Sequence, residues 1–151
     1  MIVERSGQFV VAGSYDATRE YLLDAESVVQ CLPDEVQSVT VRDDGAVDLV
    51  ADVGPGMYKT AIKFRVRVAD GGVNSDTITY TGQGLGPRSK VDLEGQFVLK
   101  ERDDGTEVQW SGQADAGGII ASLNVDLTRV TADEKITETI TNLESALNEQ
   151  Q

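Results

Sequence analysis

The sequence contains no histidine and a single cysteine, Cys31, which removes most catalytic constellations at once. A Ser-His or Cys-His nucleophile needs an imidazole to take its proton, and a histidine base or metal ligand is equally excluded. One thiol cannot build a thiolate metal site. Cys31 follows Val28 and Val29 and precedes Leu32-Pro33, a setting for a buried packing residue more than for a reactive thiol. The acidic pairs Asp43-Asp44 and Asp103-Asp104 each stand directly before a glycine, so turn chemistry accounts for them better than cation binding does. Lys63, Arg65 and Arg67 form a basic ladder at period two. They either pair with acids on neighbouring strands, the favoured reading, or dock an acidic partner. What is left is apolar: Tyr58, Phe64, Tyr80, Phe97 and Trp110, with Val66, Leu93, Ala114, Ile120 and Leu127. These side chains either fill a core or line a cavity, and pattern alone favours the core.

The elements that position them begin with a chain of 151 residues, enough for one domain with a sizeable core, so residues 1–151 are read as one unit. No run approaches the roughly 18 apolar residues of a membrane span, and the first residues lack the pattern of a signal peptide, so a soluble, cytoplasmic protein is expected. Acidic residues number 26 against 13 basic ones, a formal net charge of −13. That field repels phosphate, which disfavours nucleic acid and limits contact with anionic membranes to the periphery. Acidity in a well-patterned chain rich in Val, Ala and Thr resembles the cytoplasmic proteins of salt-accumulating halophiles. The melting temperature is therefore expected to rise strongly between about 0.1 M and about 3 M KCl, where the screening length shrinks from about 10 Å to about 3 Å or less. A flat response would remove the halophilic reading.

Most of the chain alternates at period two. Val3, Gly7, Phe9 and Val11 form one face of a first strand. Asp16 is placed to cap a short helix through Tyr21 to Leu23, and Asp24 a second through Val28 and Val29 that Pro33 stops. Strands follow over Val39–Val41, Val47–Val53 and Tyr58–Val68, the last with Ile62, Phe64, Val66 and Val68 on one side. Asp76–Thr81 is the next strand, and Gly82 to Pro87 reads as a flexible loop. It is no dinucleotide fingerprint, because a strand follows it. Val91–Leu99 and Val108–Ala116 complete six strands in a meander, with turns at Asp43-Asp44-Gly45 and Asp103-Asp104-Gly105. Inward groups shrink from Trp110 to Ala116, leaving room for a helix or a ligand.

Ile119 to Leu147 reads as a long amphipathic helix with a broken phase. Ile119, Leu123, Leu127 and Val130 share one stripe; Ile136, Ile140, Leu143 and Leu147 share another, rotated by more than a quarter turn. Thr131 to Glu134 has capping-box form at the seam, which predicts a kink or two helical pieces. A seven-stranded antiparallel sheet curled around this helix buries both elements. The class is α+β.

This order resembles the helix-grip arrangement of the START/Bet v 1-like (SRPBCC) superfamily. Cys31-Leu32-Pro33, Val53-Gly54-Pro55, the run Gly82 to Gly86, and Gly95 followed by Phe97 resemble the CoxG family of carbon monoxide dehydrogenase over nearly the whole chain. The resemblance implies an apolar cavity between sheet and long helix, lined by the apolar residues named above; access is expected between the Gly82–Gly86 loop and the Gly117-Gly118 junction, where the glycine backbone is least constrained. It implies an accessory protein of a molybdenum hydroxylase, with no covalent cofactor and with an isoprenoid quinone or other apolar small molecule as ligand. The polar end Asn148-Glu149-Gln150 departs from family members that carry a membrane-attaching extension, which argues against autonomous anchoring. Two alternatives stay open: a ligand-free assembly or recruitment factor, and a polyketide cyclase-like enzyme, for which the inward positions offer mainly Tyr58 and Tyr80.

Overall fold

The computed structural model describes residues 1–33, 36–53, 59–70, 76–118 and 125–149, the last segment by its backbone alone over 125–128. β1 (Ile2–Val11) leads into two short helices, α1 (Tyr15–Leu23) and α2 (Ala25–Val29). Six strands follow: β2 (Val36–Val41), β3 (Val47–Val53), β4 (Thr60–Asp70), β5 (Thr77–Gly86), β6 (Ser89–Arg102) and β7 (Gly105–Gly118). The long helix α3 spans Val125–Glu149. All pairings are antiparallel, in the order β1-β7-β6-β5-β4-β3-β2. This is the α+β helix-grip architecture expected from the alternation.

Three local expectations are corrected. Ser14, not Asp16, caps α1: its side chain accepts from Ala17 N at 3.1 Å, while Asp16 lies inside the first turn. Both are cap-forming residues, and the one just outside the first turn holds the extended backbone a cap needs. Asp24 does cap α2, accepting from Glu26 N. The run Gly82 to Gly86 is strand, not loop, because β5 pairs with β4 and β6 along it and only Pro87 and Arg88 turn the chain. Helix α3 runs unbroken through Thr131 to Glu134, so there are not two helical pieces. The conflict between the stripes is settled by exposure: Leu143 and Leu147 are buried, whereas Val130 is left 52% exposed. Full burial of a leucine contributes about 1.5–3 kcal/mol, so the C-terminal stripe anchors the helix.

Polar contacts fix α3 at both ends. Asn142 donates to the Cys31 carbonyl at 3.0 Å, Arg129 to the Ile2 carbonyl at 3.3 Å, and Arg5 pairs with Asp133 at 3.0 Å. Cys31 is buried, within 3.7 Å of the Tyr21 hydroxyl. Burial, then this thiol contact, raises the Tyr21 pKa to about 12, and burial raises that of Cys31. Arg65 pairs with Asp48 of the neighbouring strand β3 at 2.9 Å, and Arg67 with Asp44 of the β2–β3 turn at 3.3 Å, so of these two members of the basic ladder one pairs across strands and the other with a turn acid. Bonds from Arg65 and then Arg42 hold the Asp48 carboxyl down at about 2.

Candidate functional site

The register decides what the concave face offers. One row across the sheet reads Val41, Val47, Val66, Gly82, Leu93, Ala114, Val3. The next reads Val68, Tyr80, Gly95, Gly112, Arg5, and the one beyond it Ile78, Phe97, Trp110, Gly7. Most inner-face glycines are covered by a large neighbour. A Cβ on Gly7 would lie 2.9 Å from the Trp110 ring, one on Gly84 2.5 Å from the Phe64 ring, and one on Gly82 3.4 Å from Leu93 Cβ. Large and small residues interlock there as in any close-packed interior.

Gly95 and Gly112 are different. They are adjacent in one row, so the floor is bare over two strands, roughly 10 Å across. Among the described residues, a Cβ on Gly95 would meet only Ser111 O at 3.8 Å and Tyr80 Cβ at 3.9 Å, and one on Gly112 only Ile136 Cγ2 of α3 at 3.9 Å. Tyr80 and Arg5 stand at the ends of this patch, Leu93 and Ala114 along one side, and Phe97 and Trp110 along the other. Ile136 covers the Gly112 end. Leu93 points to the concave side yet remains 38% exposed. The patch therefore opens past Leu93.

The sequence-predicted residues divide accordingly. Tyr80, Leu93, Phe97, Trp110 and Ala114 border the bare patch, and Val66 lies in the Leu93 row. Phe64 is buried over Gly84 and packs the sheet itself. Tyr58 and Ile120 lie outside the described residues, as does the side chain of Leu127. Tyr80 is committed: its hydroxyl donates to the Leu22 carbonyl, its ring meets Phe97 edge-on at 6.0 Å, and burial raises its pKa strongly. Access through a Gly82–Gly86 loop is ruled out by its pairing as strand. Gly95, Gly112, Arg5 and Ile136 do not stand out as site residues in the sequence, because only the register brings them together. A hollow of about 440 Å³ is lined by Glu4, Arg5, Ser6, Glu94, Gly95, Gln96, Ser111, Gly112 and Gln113, so it shares Arg5 and the two glycines with the bare patch and adds polar side chains from the alternating outer-face positions.

A curved seven-stranded sheet carrying two short helices after β1 and gripping a C-terminal helix is the START/Bet v 1-like fold. Solved structures share it at low identity. A conserved protein from Geobacillus kaustophilus superposes with a TM-score of 0.77 at 16% identity, covering 97% of this chain and 96% of its own. A START superfamily protein from Mycobacterium smegmatis gives 0.67 at 16% identity, with 99% of both chains covered. The Zhui aromatase/cyclase of a Streptomyces species gives 0.66 at 16% identity, covering 99% of this chain and 93% of its own. No curated protein matches the chain in sequence. The sequence profile of CoxG, a carbon monoxide dehydrogenase subunit family, matches residues 7–148, and the chain belongs to that family. Among the described residues no helix is long and apolar enough to cross a membrane.

Proposed function

We propose that the protein is a non-enzymatic carrier that holds an apolar small molecule on the bare patch between Gly95 and α3. In this reading it serves a molybdenum hydroxylase of the carbon monoxide dehydrogenase kind, and an isoprenoid quinone is the first candidate ligand. The observation that carries the reading is Leu93: an inward-facing leucine, 38% exposed, beside a glycine floor that no described side chain fills. Covering such surface at about 25 cal/mol per Å² supplies affinity without any catalytic group. Family membership supports the accessory role and the partner. The commitment of the Tyr80 hydroxyl to Leu22 supports a carrier over a cyclase, since that hydroxyl has no free proton-transfer role.

The test is native mass spectrometry with solvent extraction of freshly purified protein. An apolar molecule, with menaquinone first among the standards, is expected to copurify or to bind at micromolar concentration. If none of the apolar compounds copurifies or binds, the carrier reading fails and a ligand-free recruitment factor takes its place.

A further inference from the structure

The charge of the chain is unevenly placed. Residues 59–90 hold six of the 13 basic residues and two of the 26 acidic ones, so the remainder, seven basic against 24 acidic, carries a net charge of −17. The two acids of that segment stand at one end of the sheet, where Asp70 pairs with Arg19 and Asp76 accepts from the Tyr15 hydroxyl. Midway along β4, Arg65 and Arg67 are paired with Asp48 and Asp44. The opposite end is left with Lys59, Lys63 and Arg88, and among the described residues none of the three forms an ion pair.

The register gathers these cations around one apolar side chain. Lys63 on β4 and Lys90 on β6 stand directly opposite Leu85 on β5, one on each side. All three point to the outer face, since they alternate with the buried Ile62, Gly84 and Val91. Leu85 is 67% exposed, more than any other large apolar side chain among the described residues. Exposed Pro87 and Arg88 form the turn that follows it, and Lys59 precedes β4 at the same end. Lys90 has Asp92 at 3.2 Å. A single exposed leucine is ordinary on a protein surface. One framed by two lysines, in the cation-rich stretch of so acidic a chain, presents a surface that an acidic partner complements.

We propose that this end of the outer face docks an acidic helix of a partner protein, with carboxylates on Lys63 and Lys90 and an apolar side chain on Leu85. The two lysines are two strand spacings apart, roughly 10 Å. Carboxylates at i and i+7 of a helix are separated by about 10.5 Å along its axis, and a leucine at i+4 falls between them on the same face. Lys59 and Arg88 at the rim speed the encounter, while the negative remainder of the surface repels the same partner and steers it to this end. A helix covers the patch alone. An anionic bilayer is broad and would bring the negative remainder against its headgroups, so the charge pattern favours the protein partner. The proposal does not depend on what the concave face holds.

The probe is an alanine-based helical peptide of about 18 residues with Glu at i and i+7 and Leu at i+4, long enough to hold a helix in water. It is titrated into the isotope-labelled full chain in about 0.1 M KCl, where charges still act over about 10 Å, and amide chemical shifts are followed. Shifts are expected to concentrate at Lys63, Leu85, Arg88 and Lys90, and a control peptide with Lys in place of both Glu residues is expected to cause none. Lys63→Glu with Lys90→Glu is expected to weaken binding more than about tenfold, and Leu85→Ser about threefold to tenfold. All three side chains are exposed, so both variants are expected to melt with the wild type. Shifts that spread elsewhere, or binding that neither variant weakens, overturn the proposal. Co-sedimentation of the wild type, but not the double variant, with phosphatidylserine-containing vesicles, without peptide binding, overturns it in favour of a lipid surface. A dimer in sedimentation equilibrium that the double variant loses, again without peptide binding, overturns it in favour of a second copy of this chain.

Discussion

Gly84→Ala is expected to destabilise the fold by about 1–3 kcal/mol, whereas Gly95→Ala, one strand away on the same face, is expected to be neutral or to stabilise by up to about 1 kcal/mol. The two substitutions add the same methyl group and gain the same reduction in unfolded-chain entropy. They differ in what the methyl meets. At Gly84 it would sit 2.5 Å and 2.6 Å from ring carbons of Phe64 and 2.7 Å from Ile62 Cγ2. Both side chains are buried, Ile62 completely, and neither is able to swing into solvent. Gly84 has no left-handed backbone, so the loss is one of packing. At Gly95 the nearest contacts, 3.8 and 3.9 Å, are ordinary van der Waals distances. Urea unfolding of both variants, with midpoint and slope compared to wild type, decides the matter: equal midpoints for the two would show that the patch at Gly95 is as filled as the one at Gly84.

The same pair of glycines marks the limit of what the sequence reveals. Period-two alternation places all seven strands and the inward set, because the side-chain period of a strand is a local property. It also places Tyr80, Phe97, Trp110, Leu93 and Ala114 on one face, where they border the patch. Glycine density in Gly82 to Gly86 imitates a loop. Only the cross-strand register puts Phe64 and Leu93 over those glycines and turns the run into packed strand. Gly95 and Gly112 come from different strands and become neighbours through pairing, so the bare floor is invisible until the register is known. In the helix, both stripes are legible. Which one is buried depends on where the rigid cylinder lands, and the contact of Ile136 with the Gly112 position together with the burial of Leu143 and Leu147 favours the C-terminal stripe. Arg5 escapes sequence reasoning because its alternation places a cation on an apolar face, a conflict resolved only by Asp133 on α3.

Gly95→Leu is expected to abolish ligand binding while leaving the empty protein folded. The added side chain rises from the floor of the patch into the space beside Tyr80 and under α3, where no described atom stands closer than 3.8 Å to its Cβ. Each buried methylene displaced from a ligand costs about 0.8 kcal/mol, so losing contact over even two of them weakens affinity about tenfold, and a branched four-carbon side chain displaces more. The only tryptophan, Trp110, borders the patch, so its fluorescence reports occupancy directly. The expected result is no copurifying apolar molecule, no change of Trp110 emission on adding menaquinone, and a urea midpoint close to wild type. Ala114→Trp, on the same side of the patch as Leu93, is expected to act alike. A pull-down of molybdenum hydroxylase subunits then separates the functions: a carrier blocked by Gly95→Leu keeps its partner and loses its activity, whereas a recruitment factor with the same substitution keeps both. Undiminished ligand binding by a folded Gly95→Leu protein would place the cargo elsewhere on the chain.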